Sequence, residues 1–395
     1  MDVREEAYEK SVKLLHQLST ESGFTASVKD VANYKRVWAR DGVVAGLAAL
    51  LSEDKDLEAT FYKTLITLQD NQDETGRIPS NVSISDGKIS YGTTVGRVDA
   101  TVWYVIGVCK YALVTKDNSV FGQFKESVEK ALFYLKCLEL NGRGLLYIPQ
   151  GGDWADEYIN HGYVLFDEML YYFALSLYGL LTGDTKIIEK KDFLSELIKV
   201  NYLPKKEYSD DPHIYDKQLF EKALTERKSV SPVTYFTNHS VRFHSDVFAT
   251  ALLLHSSIPT PDEKKEIAEN IFKLQKPDFP ILPAFDPVIK EGDDNFEHLK
   301  SNHLYGFKNK PYEYHNGGLW TLVHGFFLSS VDVKDREKHL KEFAQVLKDG
   351  EYTFPEYFNG KDYKPMGTDC LGFSAAAYII AYKSGGDKIS QKVFL

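Results

Sequence analysis

The sequence predicts an all-α fold, a toroidal (α/α)6 barrel with long loops, and three observations carry that reading. Apolar residues recur at a period of 3.6 along most of the chain, while period-2 alternation is scarce. The helical patterns number about a dozen, and long irregular stretches emerge between successive pairs of them. No Pro/Ser-rich linker or low-complexity tract divides the 395 residues, so 1–395 reads as a single domain. A closed double ring of helices accounts for all three. An open helical solenoid is the rival, but no fixed-period sequence repeat supports it.

From the N-terminus, the helical patterns cover 3–18, 41–51, 57–69, 100–115, 124–138 and 165–181. They continue at 186–200, 241–255, 261–274, 317–330, 332–347 and 371–383. The opening "MDVREEAYEKSVKLL" is charged and amphipathic, without a basic segment ahead of an apolar one, so no signal peptide is expected. Asp41 is a good N-cap for the second pattern. "TGD" at 182–184 stops the sixth, and in "TPDE" Thr260 can cap a helix whose first position suits Pro261. Four irregular stretches interrupt this rhythm: "DETGRIPSNVSISDGKISYGTTVGR", "NGRGLLYIPQGGDWADEYINHG", the segment from "PILPAFDP" to "YEYHNGG", and "GEYTFPEYFNGKDYKPMGTDC". Loops this long in a compact domain are usually functional, and these concentrate Trp, His, Asn and paired acids.

Composition excludes several function classes. With 43% hydrophobic and 26% charged residues, the chain has the usage of a soluble globular protein. No run approaches 18 uninterrupted apolar residues, so no membrane partner is expected. A net charge of −10 argues against nucleic acid, whose phosphates need clustered Lys and Arg. Cys109, Cys137 and Cys370 lie in apolar patterns with no CxxC spacing, which reads as buried free thiols in a reducing cytoplasm. The 11 histidines, among them His239, His244, His303 and His324, show no HExxH or other tight ligand spacing, so no metal is expected. GxGxxG after a strand, GxxxxGK[ST] and GxSxG are all absent, so no nucleotide cofactor is expected. Aromatic residues make up 13%, with 25 Tyr and 24 Phe. They suit sugar rings, which show one apolar face and a rim of hydroxyls, although large helical cores use them as well.

Two loops seat carboxylates among aromatics: Asp153 and Asp156 in "GGDWADEY", and Glu356 in "TFPEYFNG". Glycoside hydrolysis needs such a pair, one carboxyl to protonate the leaving oxygen and one carboxylate to activate water or attack the sugar. Aromatic neighbours desolvate a carboxyl and raise its pKa, keeping an acid loaded near neutral pH. Asp153 or Asp156 can equally serve as a helix cap. In "VWARDGVVAGLAALL", Trp38, Arg40 and Asp41 are adjacent; the Arg–Asp pair could clamp two sugar hydroxyls while the indole covers a ring face. "VGRVDATVWYV" repeats the theme with Arg97 and Asp99, and "YEYHNGGLW" supplies His315, Asn316 and Trp320 at another helix mouth. Several such groupings at helix starts point to one ring of active-site loops facing one pocket.

These motifs resemble the helical-barrel glycoside hydrolases, most closely the neutral/alkaline invertases of glycoside hydrolase family 100. "VWARDGVVAGLAALL" is similar to that family's aromatic-x-Arg-Asp helix opening, and "VGRVDATVWYVIGVCKY" to its Gly-Arg-Val…Asp-Ser…Trp-Trp stretch. "YEYHNGGLWTLVHGFF" is similar to Tyr-His-Asn-Gly-Gly-x-Trp, and the matches spread over 37–382. The acid loop departs from the invertase pattern. "DWADEYINHG" is more like the Gly-Thr-Trp-Met-Asp run of the glycogen-debranching amylo-α-1,6-glucosidases, which implies that Asp156 is the general acid. "FPEYFNGKDYKPMGTDCLGFSAAAYIIA" is similar to a segment both groups share, which implies that Glu356 is the general base.

The expectation is an inverting exo-glycosidase cutting a terminal α-glucosidic bond of a small carbohydrate, sucrose or a short α-glucoside. Trp154 would wall the sugar site; Asp153 and His161 would hold sugar hydroxyls or support the acid, and Tyr357 would join the substrate contacts. Amylo-α-1,6-glucosidase-like debranching and a helical-barrel sugar epimerase, with His residues exchanging a proton, are the alternatives. A carbohydrate-binding protein without turnover is a third.

Overall fold

The computed structural model describes residues 2–31, 33–227, 231–301 and 306–395; His303 lies outside them. In chain order its α-helices are α1 (Val3–Leu18), α2 (Ala39–Ser52), α3 (Lys55–Asp70), α4 (Val98–Thr115), α5 (Asn118–Cys137), α6 (Leu165–Thr182) and α7 (Thr185–Tyr202). There follow α8 (Lys217–Glu226), α9 (Val247–His255), α10 (Pro261–Phe272), α11 (Phe296–Ser301), α12 (Thr321–Ser330), α13 (Val333–Asp349) and α14 (Gly372–Lys383). The helices α2, α4, α6, α9, α12 and α14 pack each on the next, and α14 packs back on α2, closing an inner ring. Each is backed by the helix that follows it in the chain (α3, α5, α7, α10 and α13), and α1 backs α14. This is the (α/α)6 toroid.

Inner and outer helices differ in sequence because they differ in surroundings. Inner helices are covered on both sides and carry nearly unbroken apolar runs: residues 98–112 of α4 and 372–381 of α14 are all buried. By length and mean hydropathy (1.3) α4 could cross a membrane, but 83% of that stretch is buried in the toroid. Outer helices show one apolar face, as in α3, where Leu57, Phe61, Leu65 and Leu68 turn inward. The inner helices α12 and α14 approach so closely that a Cβ at Gly325 would overlap the Ala377 carbonyl oxygen.

The first turn of each inner helix leaves N–H groups without intrahelical partners. Here the neighbouring loop takes one from five of the six. Ala39 donates to the Ser80 carbonyl, Val98 to Gly152, Leu165 to Thr234, Val247 to Ala284, and Gly372 to Ala26. Just ahead of α12, Leu319 donates to Phe358. These bonds chain the six loops into a collar at the N-terminal end of the inner ring. Small antiparallel sheets reinforce it, among them Arg36–Trp38 against Asn81–Ser83, with Trp38 opposite Asn81.

Several local expectations are corrected. Asp41 is not a cap: α2 starts at Ala39 behind Trp38, and Asp41 faces inward in its first turn. Neither Asp153 nor Asp156 caps α6, whose N-cap is Val164. The pattern 241–255 is helical only from Val247, because the Asp246 carboxylate accepts the Ala249 N–H and starts the helix there. The helices α8 and α11 were not predicted. "TGD" does end α6, with Gly183 left-handed (φ 68°), and Thr260 and Glu263 form a reciprocal capping box on α10. Cys109 is buried as expected, but Cys137 is exposed at the end of α5 and Cys370 is only partly covered.

Candidate active site

The loop ahead of α6 is folded from within. The Asp153 carboxylate, 1% exposed, accepts the Ala155 N–H (3.0 Å) and the Asn160 amide (3.2 Å), and His244 Nε2 meets Asn160 Oδ1 at 3.0 Å. Trp154 is inserted beneath, stacked on Phe285 (5.6 Å between ring centroids) and edge-on to Phe248 and Trp320. Its indole N–H donates to Asp246 at 3.3 Å. Glu157 takes the left-handed conformation (φ 60°), turning the chain so that Asp156 faces a pocket. From the α12 loop, Asn309 donates to the carbonyls of Asp156 (3.4 Å) and Glu157 (3.1 Å). The His315 ring contacts the Asp156 carbonyl through Nδ1 at 3.2 Å; a carbonyl only accepts, so Nδ1 carries the proton.

Glu356 comes from the loop ahead of α14, which stands three places from α6 in the inner ring and therefore opposite it. Its Oε1 accepts the Tyr34 hydroxyl at 2.8 Å and its Oε2 the Thr368 N–H at 3.3 Å. Asp156 and Glu356 line the same pocket, a space of about 1050 Å³ counting its open mouth.

The electrostatics of the two carboxyls reverse the expected pattern. Burial pushes Asp156 up, but the Arg97 and Arg40 guanidiniums outweigh it and hold the group below its ordinary value. Arg97 lies 3.0 Å from Asp156 as a charge contact without an aligned hydrogen bond. Burial pushes Glu356 up to about 7, against smaller opposing effects of the Tyr34 and Thr368 hydrogen bonds. The expectation that aromatic neighbours would load Asp156 with a proton missed Arg97.

Trp38, Arg40, Asp41, Arg97, Trp154, His315 and Trp320 also reach this pocket. Arg40, however, pairs with Asp99 (2.7 Å) and not with Asp41. Asp99 sits behind it, 1% exposed, and supports the guanidinium without lining the pocket. The Asp41 carboxyl is raised by burial to about 6. Burial drops His315 to about 3, so its imidazole, stacked on Trp320, stays neutral.

Besides Asp99, four expected contacts fall away. Asp153 works under the loop, as described. His161 lies outside the pocket, near Tyr235 and His298, with Nδ1 on its own loop at the Ile159 carbonyl. The Asn316 side chain is spent on backbone, at Ile289 and at the Asn309 carbonyl. Tyr357 is stacked behind Trp320 and contributes packing. Tyr34, Asn309, Lys308 and Tyr314 were missed. Tyr314 lies inside the quoted "YEYHNGG" and could have been found there, but no local pattern marks Tyr34 or Asn309.

No family model matches the chain. Probable alkaline/neutral invertase F of Arabidopsis thaliana is 22% identical over 432 residues, covering 92% of this chain and 83% of that protein. The chain resembles the alkaline/neutral invertases. Among solved structures, the family 63 mannosylglycerate hydrolase of Thermus thermophilus in complex with Tris superposes with a TM-score of 0.65 at 13% identity, over 94% of this chain and 99% of that one. A glycosidase in complex with glucose gives a TM-score of 0.63 at 12% identity, over 96% and 95% of the two chains. At these identities the structural likeness speaks for the helical toroid.

Proposed function

We propose that the chain is a glycoside hydrolase, and more finely an inverting exo-enzyme that cuts the terminal α-glucosidic bond of sucrose or a short α-glucoside. The observation that carries the reading is one pocket receiving Asp156 and Glu356 from the loops ahead of two opposite helices of the ring, beside Trp154 and Trp320. The likeness to invertases and glycosidases supports the hydrolase class. In the proposed step, protonated Asp156 gives its proton to the glycosidic oxygen as the C1–O bond breaks. Water attacks C1 from the other face and passes its proton to Glu356. Debranching of longer chains uses the same chemistry. Histidine-driven epimerisation is disfavoured because, of its candidate histidines, His239 is exposed and outside the pocket, and His315, lowered by burial to about 3, stays neutral. The proposal includes a reducing compartment such as the cytoplasm, supported by three unpaired cysteines.

A second reading exchanges the two roles, with Glu356 as donor and Asp156 as base. It is favoured by the resting charges, since Glu356 holds its proton to about pH 7 while Arg97 keeps Asp156 ionised. α-Glucosyl fluoride distinguishes them, because fluoride leaves without a proton. Under the first assignment Asp156→Asn loses about 10³-fold in kcat on sucrose or isomaltose but keeps most of its activity on the fluoride, while Glu356→Gln fails on both. Under the second, the two variants trade places. Release of β-glucose at early times by proton NMR supports inversion; α-glucose sinks it.

A further inference from the structure

The cations lining the pocket are not all committed to the protein. Arg40 is: its guanidinium is hydrogen-bonded to Asp99 at 2.7 Å. Arg97, 7% exposed, has one carboxylate within ion-pair reach among the described residues, Asp156, with no aligned hydrogen bond to it, and its charge is also felt by Asp99 and Asp153. Lys308 has none within ion-pair reach among the described residues; its ammonium stands 5.4 Å from the Tyr314 ring centroid. It is close enough to both Asp156 and Glu356 to pull each carboxyl down. Ser90 and Thr93, on the segment leading to Arg97, add hydroxyls to the same lining.

From this arrangement we infer that the leaving-group side of the pocket takes an anion, so that the preferred substrates are α-glucosides whose aglycone bears a carboxylate or phosphate, held by Arg97 and Lys308. The inference rests on the glycosidase reading and deepens it. A neutral hydroxyl brings no counter-charge to Lys308, whereas an oxyanion does and can also accept from two Arg97 N–H groups at once. The same contact serves the chemistry. An oxyanion on Arg97 shares the charge that holds Asp156 ionised, and Asp156 can then take a proton from solvent and act as donor.

Matched pairs test it with bond type held constant: maltobionate against maltitol for a carboxylate, and sucrose phosphorylated on the fructosyl 6-hydroxyl against sucrose for a phosphate. We expect kcat/KM for the anionic member of at least one pair to exceed its neutral partner by about tenfold or more. That advantage should shrink as salt is raised, and Lys308→Gln should cut the ratio several-fold. Which pair responds tells carboxylate from phosphate. Ratios at or below one in both pairs, with the neutral members hydrolysed, overturn the inference and leave the glycosidase reading standing. If none of the four is hydrolysed, the glycosidase reading falls on these substrates. Calorimetric binding of the same four compounds then decides the anion preference alone, equal or weaker binding of both anions refuting it.

Discussion

Tyr34 shows how one side chain far away in sequence conditions the chemistry of another. Its hydroxyl donates to Glu356 and stabilises the carboxylate against the burial that raises it. In Tyr34→Phe the Glu356 pKa therefore rises further. If Glu356 is the base, which must be ionised, the acidic limb of the kcat/KM profile moves to higher pH. An unmoved acidic limb with a displaced alkaline limb would instead favour Glu356 as donor. Asp99 plays a comparable part for Arg40. Asp99→Ala leaves a nearly buried guanidinium without its counter-charge, and kcat/KM should fall by about 2–4 kcal/mol. A variant with wild-type kcat/KM and the same melting temperature would mean that Arg40 does not bind substrate. At this scale the candidate site was partly legible. Arg40, Asp41 and Arg97 stand next to helix starts, and helix starts can be read from periodicity. Which side chain of a loop faces inward cannot: Asp153 and Asp156 are three residues apart, and the left-handed turn at Glu157 helps set their opposite fates.

At the scale of elements, helix identity follows from how many sides are covered. The nearly unbroken apolar stretch of α4 and the one-faced pattern of α3 are both visible in sequence, and they separate inner from outer positions. Contact between inner helices is set by small residues, most sharply at Gly325 against the α14 backbone. Because a carbonyl cannot rotate away as a side chain can, Gly325→Ala must push α12 from α14. It should cost about 1–3 kcal/mol, read as a lower denaturant midpoint with an unchanged slope. An unchanged midpoint would show that the ring relaxes at that joint. The extent of α9 illustrates the opposite case. Residues 241–246 continue the apolar pattern, yet they form short strands because the collar claims their backbone and Asp246 caps the helix.

Across the whole molecule, burial of ionisable groups links stability to pH in two opposing ways. Glu356 and Asp246 are raised to about 7, so each binds its proton more tightly folded than unfolded. Their contribution is full below the unfolded carboxyl value, about 4, and is lost as pH rises through 7. Buried His244, His255, His315 and His324 are lowered to about 3, and theirs is lost as pH falls below about 6.5. The two sets offset each other over much of the acidic range, so a difference measurement isolates one of them. The stability of Glu356→Gln relative to wild type should increase from pH 5 to pH 8, because Gln has no proton to lose. A difference that stays flat would mean that Glu356 titrates as it does unfolded.

Taken by itself, the sequence determined the all-α class, the twelve ring helices and the loops that carry the acidic groups, because periodicity, stop signals and turn composition are local properties. It also marked Glu356 and the Asp153/Asp156 loop through their aromatic surroundings, while the choice of Asp156 over Asp153 came from the resemblance to the debranching enzymes. Only the tertiary structure decided that Arg40 pairs with Asp99, that Arg97 lies on Asp156, that Tyr34 reaches Glu356 across 322 positions, and that His161, Asn316 and Tyr357 turn away from the pocket. Those pairings arise where the closed ring brings separate loops together, and electrostatic partners chosen across a pocket leave no periodic trace in the chain.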